Sequence, residues 1–162
     1  MEADNRLDDA EYLNLAPNSE TKAGLYIYAD EIDIAGLTKL LGAQPTSSHL
    51  KGAKLRPRSS PTPNGGWFLE APKHLSLPDK IKYLLDATTS NYEVWDMLVA
   101  NHIMRLNCVV FLHSWRDGIV FPAALMEQIG RRHWEFNISL YSADDNDIVT
   151  SFLKKRDKKP CD

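Results

Sequence analysis

The run RLNCVVFLHS, residues 105–114, constrains the fold of this chain more than any other segment. It is rich in β-branched and aromatic residues and largely apolar on both faces. That pattern belongs to a strand with neighbours on either side rather than to a solvated edge. The chain must therefore build a sheet with this run inside it, and the other elements are read as its neighbours and its cover.

Before it, LYIYA at residues 25–29 reads as a strand with Leu25, Ile27 and Ala29 on one face and Tyr26 and Tyr28 on the other. Asp33 is a good N-cap, because its carboxylate accepts from the free N–H groups of a first helical turn. Ile34, Leu37 and Leu41 share one face of that helix, and Gly42 supplies the left-handed stop. Residues 43–66, AQPTSSHLKGAKLRPRSSPTPNGG, contain four prolines and three glycines, which rules out a continuous helix or central strand. A short edge strand is expected at residues 53–56, and GWFLE at 66–70 forms a further strand with Trp67 and Leu69 on one face.

SLPD at 76–79 and SNYE at 90–93 match the capping-box pattern and open two helices. The first buries Ile81, Leu84 and Leu85; the second turns Val94, Trp95, Leu98 and Val99 inward. After a turn at SWRDG, Pro122 starts a helix with Leu125, Met126 and Ile129 inward and Gly130 as its stop. In the last strand Trp134, Phe136, Ile138 and Leu140 alternate with Glu135, Asn137, Ser139 and Tyr141, the pattern of an edge or of a sheet with one open side.

The order β-α-(β)-β-α-α-β-α-β also fits a parallel, doubly wound sheet. The irregular stretch after the first helix and the one-sided last strand favour an α+β fold instead. In it, a mixed or antiparallel sheet of about four to five strands carries helices mainly on one face. One domain over residues 23–142 is expected, between an acidic, weakly ordered lead (1–22) and a polar, basic tail (143–162).

Composition bears on function class. A net charge of −3 argues against nucleic acid as the principal partner. The acidic start lacks the basic and apolar regions of a secretory signal, and no apolar run approaches a bilayer span, so no membrane role is expected. Cys108 lies in an apolar run and Cys161 in the tail, so they are not expected to pair, and a cytoplasmic location fits.

A further pattern joins LYIYAD, a helix ending in LLG, the residues Gln44, Pro45 and Thr46 followed by Lys51 and Gly52, the strand GGWFLE, and the terminal HWEFNISLY. Over residues 23–142 this resembles the bacterial family called domain of unknown function 4279. The resemblance implies a small cytoplasmic bacterial α+β domain and brings no activity, cofactor or catalytic residue. Small stand-alone bacterial domains of this kind include immunity proteins that neutralise toxins.

Candidate chemistry is sparse. His49, Lys51, Lys54, Arg56 and Arg58 form a basic loop near Trp67, with no acidic residue between 43 and 69. Cations beside an aromatic suit RNA or a phosphorylated ligand; the competing reading is a solvated loop with Trp67 in the core. His49, His74, His102, His113 and His133 have no metal-ligand spacing, and no metal or cofactor is expected. His113 and Asp117 flank a turn as a stabilising pair or a dyad. Cys108 reads as a small buried hydrophobe rather than a nucleophile. Asp30, Glu31 and Asp33 are explained by capping and the helix dipole.

Trp115 and Arg116 are residue types enriched at interface hot spots, and they are expected contacts together with Asp117 and with Asp144, Asp145 and Asp147 beyond the last strand; the competing reading is that Trp115 folds back as a lid on the sheet edge. The expected function is a non-catalytic protein-binding module, an immunity protein whose partner is a cognate toxin. The alternatives are the RNA or phosphate reading and a small enzyme. A homodimer through the edge of the last strand is compatible with the sequence.

Overall fold

The computed structural model of the chain describes residues 20–112 and 119–142. By internal contacts the chain divides into two compact units. The larger comprises Thr21–Val109 with Phe121–Ser139; the described residues of the smaller are 20, 110–112, 119–120 and 140–142. Within the smaller unit the Phe111 amide donates to the Glu20 carbonyl at 3.0 Å, and the Phe111 and Tyr141 rings stack at 5.2 Å.

The element order is β1 (Thr21–Ala29), α1 (Ile34–Leu41), β2 (Ser47–His49), β3 (Gly65–Glu70), α2 (Leu77–Ala87), α3 (Tyr92–Leu98), β4 (Ile103–Leu112), α4 (Ala123–Arg131) and β5 (Glu135–Ser142). The strands form one mixed five-stranded sheet in the order β2-β3-β1-β4-β5, so the fold is α+β as expected. β4 is interior and β5 is an edge, as their apolar patterns require.

The helices lie on one face. Leu25, Ile27, Trp67, Met104, Leu106 and Cys108 are buried there by strand alternation. Leu37 and Leu41 of α1 and Leu77, Ile81, Leu84 and Leu85 of α2 close over them. Each such side chain contributes about 1.5–3 kcal/mol on burial. The Trp67 indole N–H donates to Thr38 Oγ1 of α1 at 3.1 Å, which gives the buried ring the partner its polar edge needs. Lys80, only 2% exposed, points inward from α2. Its ammonium donates to the Thr21 carbonyl and hydroxyl, both at 2.9 Å, and to the Leu75 carbonyl at 2.6 Å. These bonds tie the start of α2 to the start of β1.

Local chemistry sets most boundaries. Asp33 accepts from the Gly36 amide at 2.9 Å, and Gly42 closes α1 with φ 71°. Ser76 caps α2 and its hydroxyl also donates to Asp79 at 2.6 Å.

Several expectations need correction. β1 starts at Thr21 rather than at Leu25. The short edge strand is Ser47–His49, not 53–56, because it is placed by pairing Ser47, Ser48 and His49 with Phe68, Trp67 and Gly66 of β3. α3 is capped by Asn91, which accepts from the Glu93 amide at 3.0 Å, rather than by Ser90. The helix ends at Leu98, which leaves Val99 exposed, and Met126 of α4 is exposed as well. Gly130 does not stop α4; the chain turns at His133, which holds φ 56°.

Candidate functional site

Alternation that sends odd-numbered residues of β1 under the helices sends Tyr26 and Tyr28 to the opposite face of the sheet. The antiparallel register places Tyr26 opposite Phe68 and Tyr28 opposite Gly66, and sets His49 of β2 on the far side of Gly66. Among the described residues no helix covers this face, and all four rings are half-exposed.

The rings interlock. Phe68 meets Tyr26 edge to face at 5.1 Å and Tyr28 at 5.5 Å, with His49 tilted against it at 5.4 Å. Such pairs are worth about 0.5–1.5 kcal/mol each. Two glycines make the floor. A Cβ on Gly66 would collide with the Phe68 ring and reach 2.9 Å from His49 Nε2; one on Gly24 would lie 2.7 Å from Tyr26 and 2.9 Å from the Glu70 carboxylate. The aromatic side chains thus lie down over bare backbone that no larger residue leaves open.

Polar groups bound the cluster. The Tyr26 hydroxyl donates to Glu70. Burial pushes the Tyr26 phenol above its ordinary range, and the bond to Glu70 and that carboxylate's charge push it further. Burial also raises Tyr28, opposed by the charge of Arg105. Arg105 of β4 in turn donates through Nε and Nη2 to Glu135 of β5, at 3.0 and 2.7 Å. Beside them the Asn137 amide donates to Asn107 at 2.8 Å. The face is therefore aromatic and amide-rich, with its arginine charge matched by a carboxylate.

At the β2 edge of this face rises the basic hairpin, tied across its base by Gly52 N–H to Thr62 O (2.8 Å) and Thr62 N–H to Ala53 O (2.9 Å). Lys51 pairs with Asp30. Lys54, Arg56 and Arg58 are exposed and form no ion pair among the described residues. Trp67 is 0% exposed, so it offers no ring to a base, and the core reading of that residue holds.

In the cleft beside α1, three of the polar groups are already engaged. This cleft, of 570 Å³ between α1 and the end of α3, holds Asp30, Glu31, Asp33, Asn101 and His102. Asp30 is paired with Lys51, Asp33 caps α1, and His102 Nδ1 lies 3.1 Å from the Leu98 carbonyl. A smaller cavity of 250 Å³ between α2 and α4 is lined by Leu85, Asp86, Leu125 and Gln128 among others. Cys108 is buried in mid-strand, which pushes its thiol up to about 12. No group of three or more His, Cys, Asp or Glu side chains among the described residues is arranged to hold a metal. His133 Nε2 lies 2.6 Å from Asp96 Oδ1, a pairing of α3 with the α4–β5 turn that the sequence did not signal.

Trp115, Arg116, Asp117, Asp144, Asp145 and Asp147 lie outside the described residues, as does His113. What sequence reasoning missed as a site is the Tyr26, Tyr28 and Phe68 cluster. Its signal was present in the outward tyrosines of LYIYA, but the register that adds Phe68 and His49 was not.

The sequence profile described as "Domain of unknown function (DUF4279)" matches residues 19–143, most of the chain. The chain belongs to this family. The matched span runs from just before β1 to just after β5, so the sheet, its helices, the glycine-floored aromatic face and the hairpin all fall within the family's domain. No curated protein and no solved structure matches the chain. Among the described residues no helix is long and apolar enough to cross a membrane.

Proposed function

We propose that the chain is a non-catalytic protein-binding module whose uncovered sheet face is the contact surface. The observation that carries this reading is the half-exposed, interlocked cluster of Tyr26, Tyr28, Phe68 and His49. Tyrosine and phenylalanine offer large contact area with few rotatable bonds, so little side-chain entropy is lost when a partner covers them. The Arg105–Glu135 pair and the asparagines supply a polar rim. In its most specific form the proposal is a cytoplasmic bacterial immunity protein that binds and neutralises a cognate toxin. Trp115, Arg116 and Asp117, with Asp144, Asp145 and Asp147, stay in the proposal as further contacts on residue type alone.

The RNA or phosphate reading of His49, Lys51, Lys54, Arg56 and Arg58 has less support. Lys51 is matched by Asp30, His49 leans on Phe68, and Glu70 and Glu135 put carboxylates on the adjoining face.

The test is affinity capture from native lysate with the wild-type chain and with a Tyr28→Ser, Phe68→Ser double variant shown by thermal melting to be folded. The reading expects one stoichiometric protein partner on the wild type, lost from the variant, and lethal when expressed alone. A partner retained equally by both, or an eluate holding only nucleic acid or a second copy of this chain, would overturn it.

A further inference from the structure

We infer that the hairpin over residues 50–64 is a docking surface for an acidic protein segment that also carries apolar side chains, an inference that rests on the protein-binding reading and names the chemistry of the partner. Three observations converge on this one protrusion. The first is charge. On a chain of net charge −3, residues 43–69 hold four Lys and Arg and no acidic residue. Only Lys51 is matched, by Asp30, which leaves Lys54, Arg56 and Arg58 without an ion pair among the described residues. A patch opposite in sign to the molecule that carries it steers an acidic partner to one place and turns a basic one away.

The second is apolar exposure. Leu50 is 60% and Leu55 62% exposed, the two most exposed large hydrophobic residues among those described. Leucines interleaved with cations suit a partner that presents carboxylates around an apolar spot. The third is preorganisation. Besides the two cross-links at its base, Ala53 N–H donates to Leu50 O at 3.2 Å, Thr62 Oγ1 to Leu50 O at 3.1 Å, and Ser59 N–H to Arg56 O at 3.0 Å. The Arg56 amide also donates to Ser59 Oγ at 3.1 Å, and Gly52 takes the left-handed φ of 81° that the first turn requires. The side chains are held out by a fixed backbone, which lowers the entropy lost on binding.

Two other occupants fit less well. Single-stranded nucleic acid needs rings for its bases, and the hairpin carries none between Leu50 and Asn64. An anionic membrane surface is held by clusters of about four to eight Lys or Arg, and only three cations here are unmatched among the described residues.

The test uses fluorescence anisotropy with four probes. They are a labelled 16-residue Glu/Leu amphipathic peptide, its Leu→Ser counterpart, a 20-nucleotide poly(U), and vesicles with one fifth phosphatidylserine. Binding of the Glu/Leu peptide is expected to be at least tenfold tighter than that of the Ser counterpart or poly(U). It should weaken at least tenfold in R56S/R58S and at least threefold in L55S, with melting temperatures unchanged. Equal or tighter binding of poly(U) or vesicles, or peptide binding indifferent to R56S/R58S, would overturn the inference. Capture of the native partner separates this claim from the one it rests on. If R56S/R58S keeps the partner and the Tyr28→Ser, Phe68→Ser variant loses it, the hairpin inference fails and the sheet-face reading stands. If the hairpin variant alone loses the partner, the hairpin is the docking surface and the sheet-face reading fails.

Discussion

The two faces of one sheet carry similar side chains to opposite ends. Trp67 and Phe68 are consecutive residues of β3. Trp67 is sealed beneath α1 with its indole bonded to Thr38, whereas Phe68 lies half-exposed over the glycine floor of the open face. On the covered face, aromatic area is spent on the core. On the open face the rings hold one another edge to face and leave surface for something else. On the proposed reading, alternation along a strand separates stability from recognition within neighbouring residues.

That contrast breaks first if truncation costs the same on both sides. Trp67→Ala is expected to lower unfolding free energy by about 3–5 kcal/mol, because it removes a fully buried ring and leaves a cavity. Phe68→Ala should cost no more than about 1–2 kcal/mol, from lost ring pairs and partial burial, while weakening partner capture. Urea denaturation of both variants measures the ratio.

Gly66→Ala sharpens the comparison from the floor. Its methyl group would occupy the place of the Phe68 ring, so a loss of about 1–3 kcal/mol is expected, with altered Tyr and Phe ring signals in NMR. Glu135→Gln comes next. It unpairs Arg105 at the rim, and because the pair is solvent-exposed its loss should be below about 1 kcal/mol.

A further contrast between the two faces is read by pH. Cys108 on the covered face has its thiol raised from 9.0 to about 12, and Tyr26 on the open face is raised as well, both chiefly by burial. Both folded groups therefore keep their protons longer than the unfolded chain does. The Cys108 contribution is complete below pH 9 and is lost as pH rises from 9 through 12, whereas that of Tyr26 is complete below pH 10 and is lost at higher pH. In a Cys161→Ser background, Cys108 should resist alkylation at pH 8 until the protein is unfolded, and Tyr26→Phe should remove the latest component of the tyrosine absorbance titration. Rapid native alkylation would contradict the burial of β4.

Much of the covered side was legible because it is local. Asp33, Gly42 and Ser76 act within a few residues of themselves, and the odd positions of β1 declare their face by alternation. Lys80 was legible in principle, since it falls three residues after Leu77 and four before Leu84, on the buried stripe, but its charge argued for solvent until Thr21 and Leu75 supplied acceptors. The open face was half legible. Tyr26 and Tyr28 point away from the core by pattern, yet Phe68 and His49 join them only through the registers of β1 with β3 and β3 with β2. The misplacement of β2 has the same cause, because a three-residue edge strand is fixed by its partner rather than by its own residues. The His133–Asp96 pair depends on a left-handed turn at a non-glycine residue, for which the sequence carries no local sign.

The most direct measurement is hydroxyl-radical footprinting of the wild-type chain alone and saturated with its captured protein partner, read by mass spectrometry at Tyr26, Tyr28, Phe68, Leu37 and Met97. The account predicts that Tyr28 and Phe68 lose most of their oxidation in the complex while buried Leu37 and exposed Met97 of the helix layer are unchanged. Protection of Met97 with Tyr28 and Phe68 still fully reactive would contradict it, and would move the contact surface to the helices.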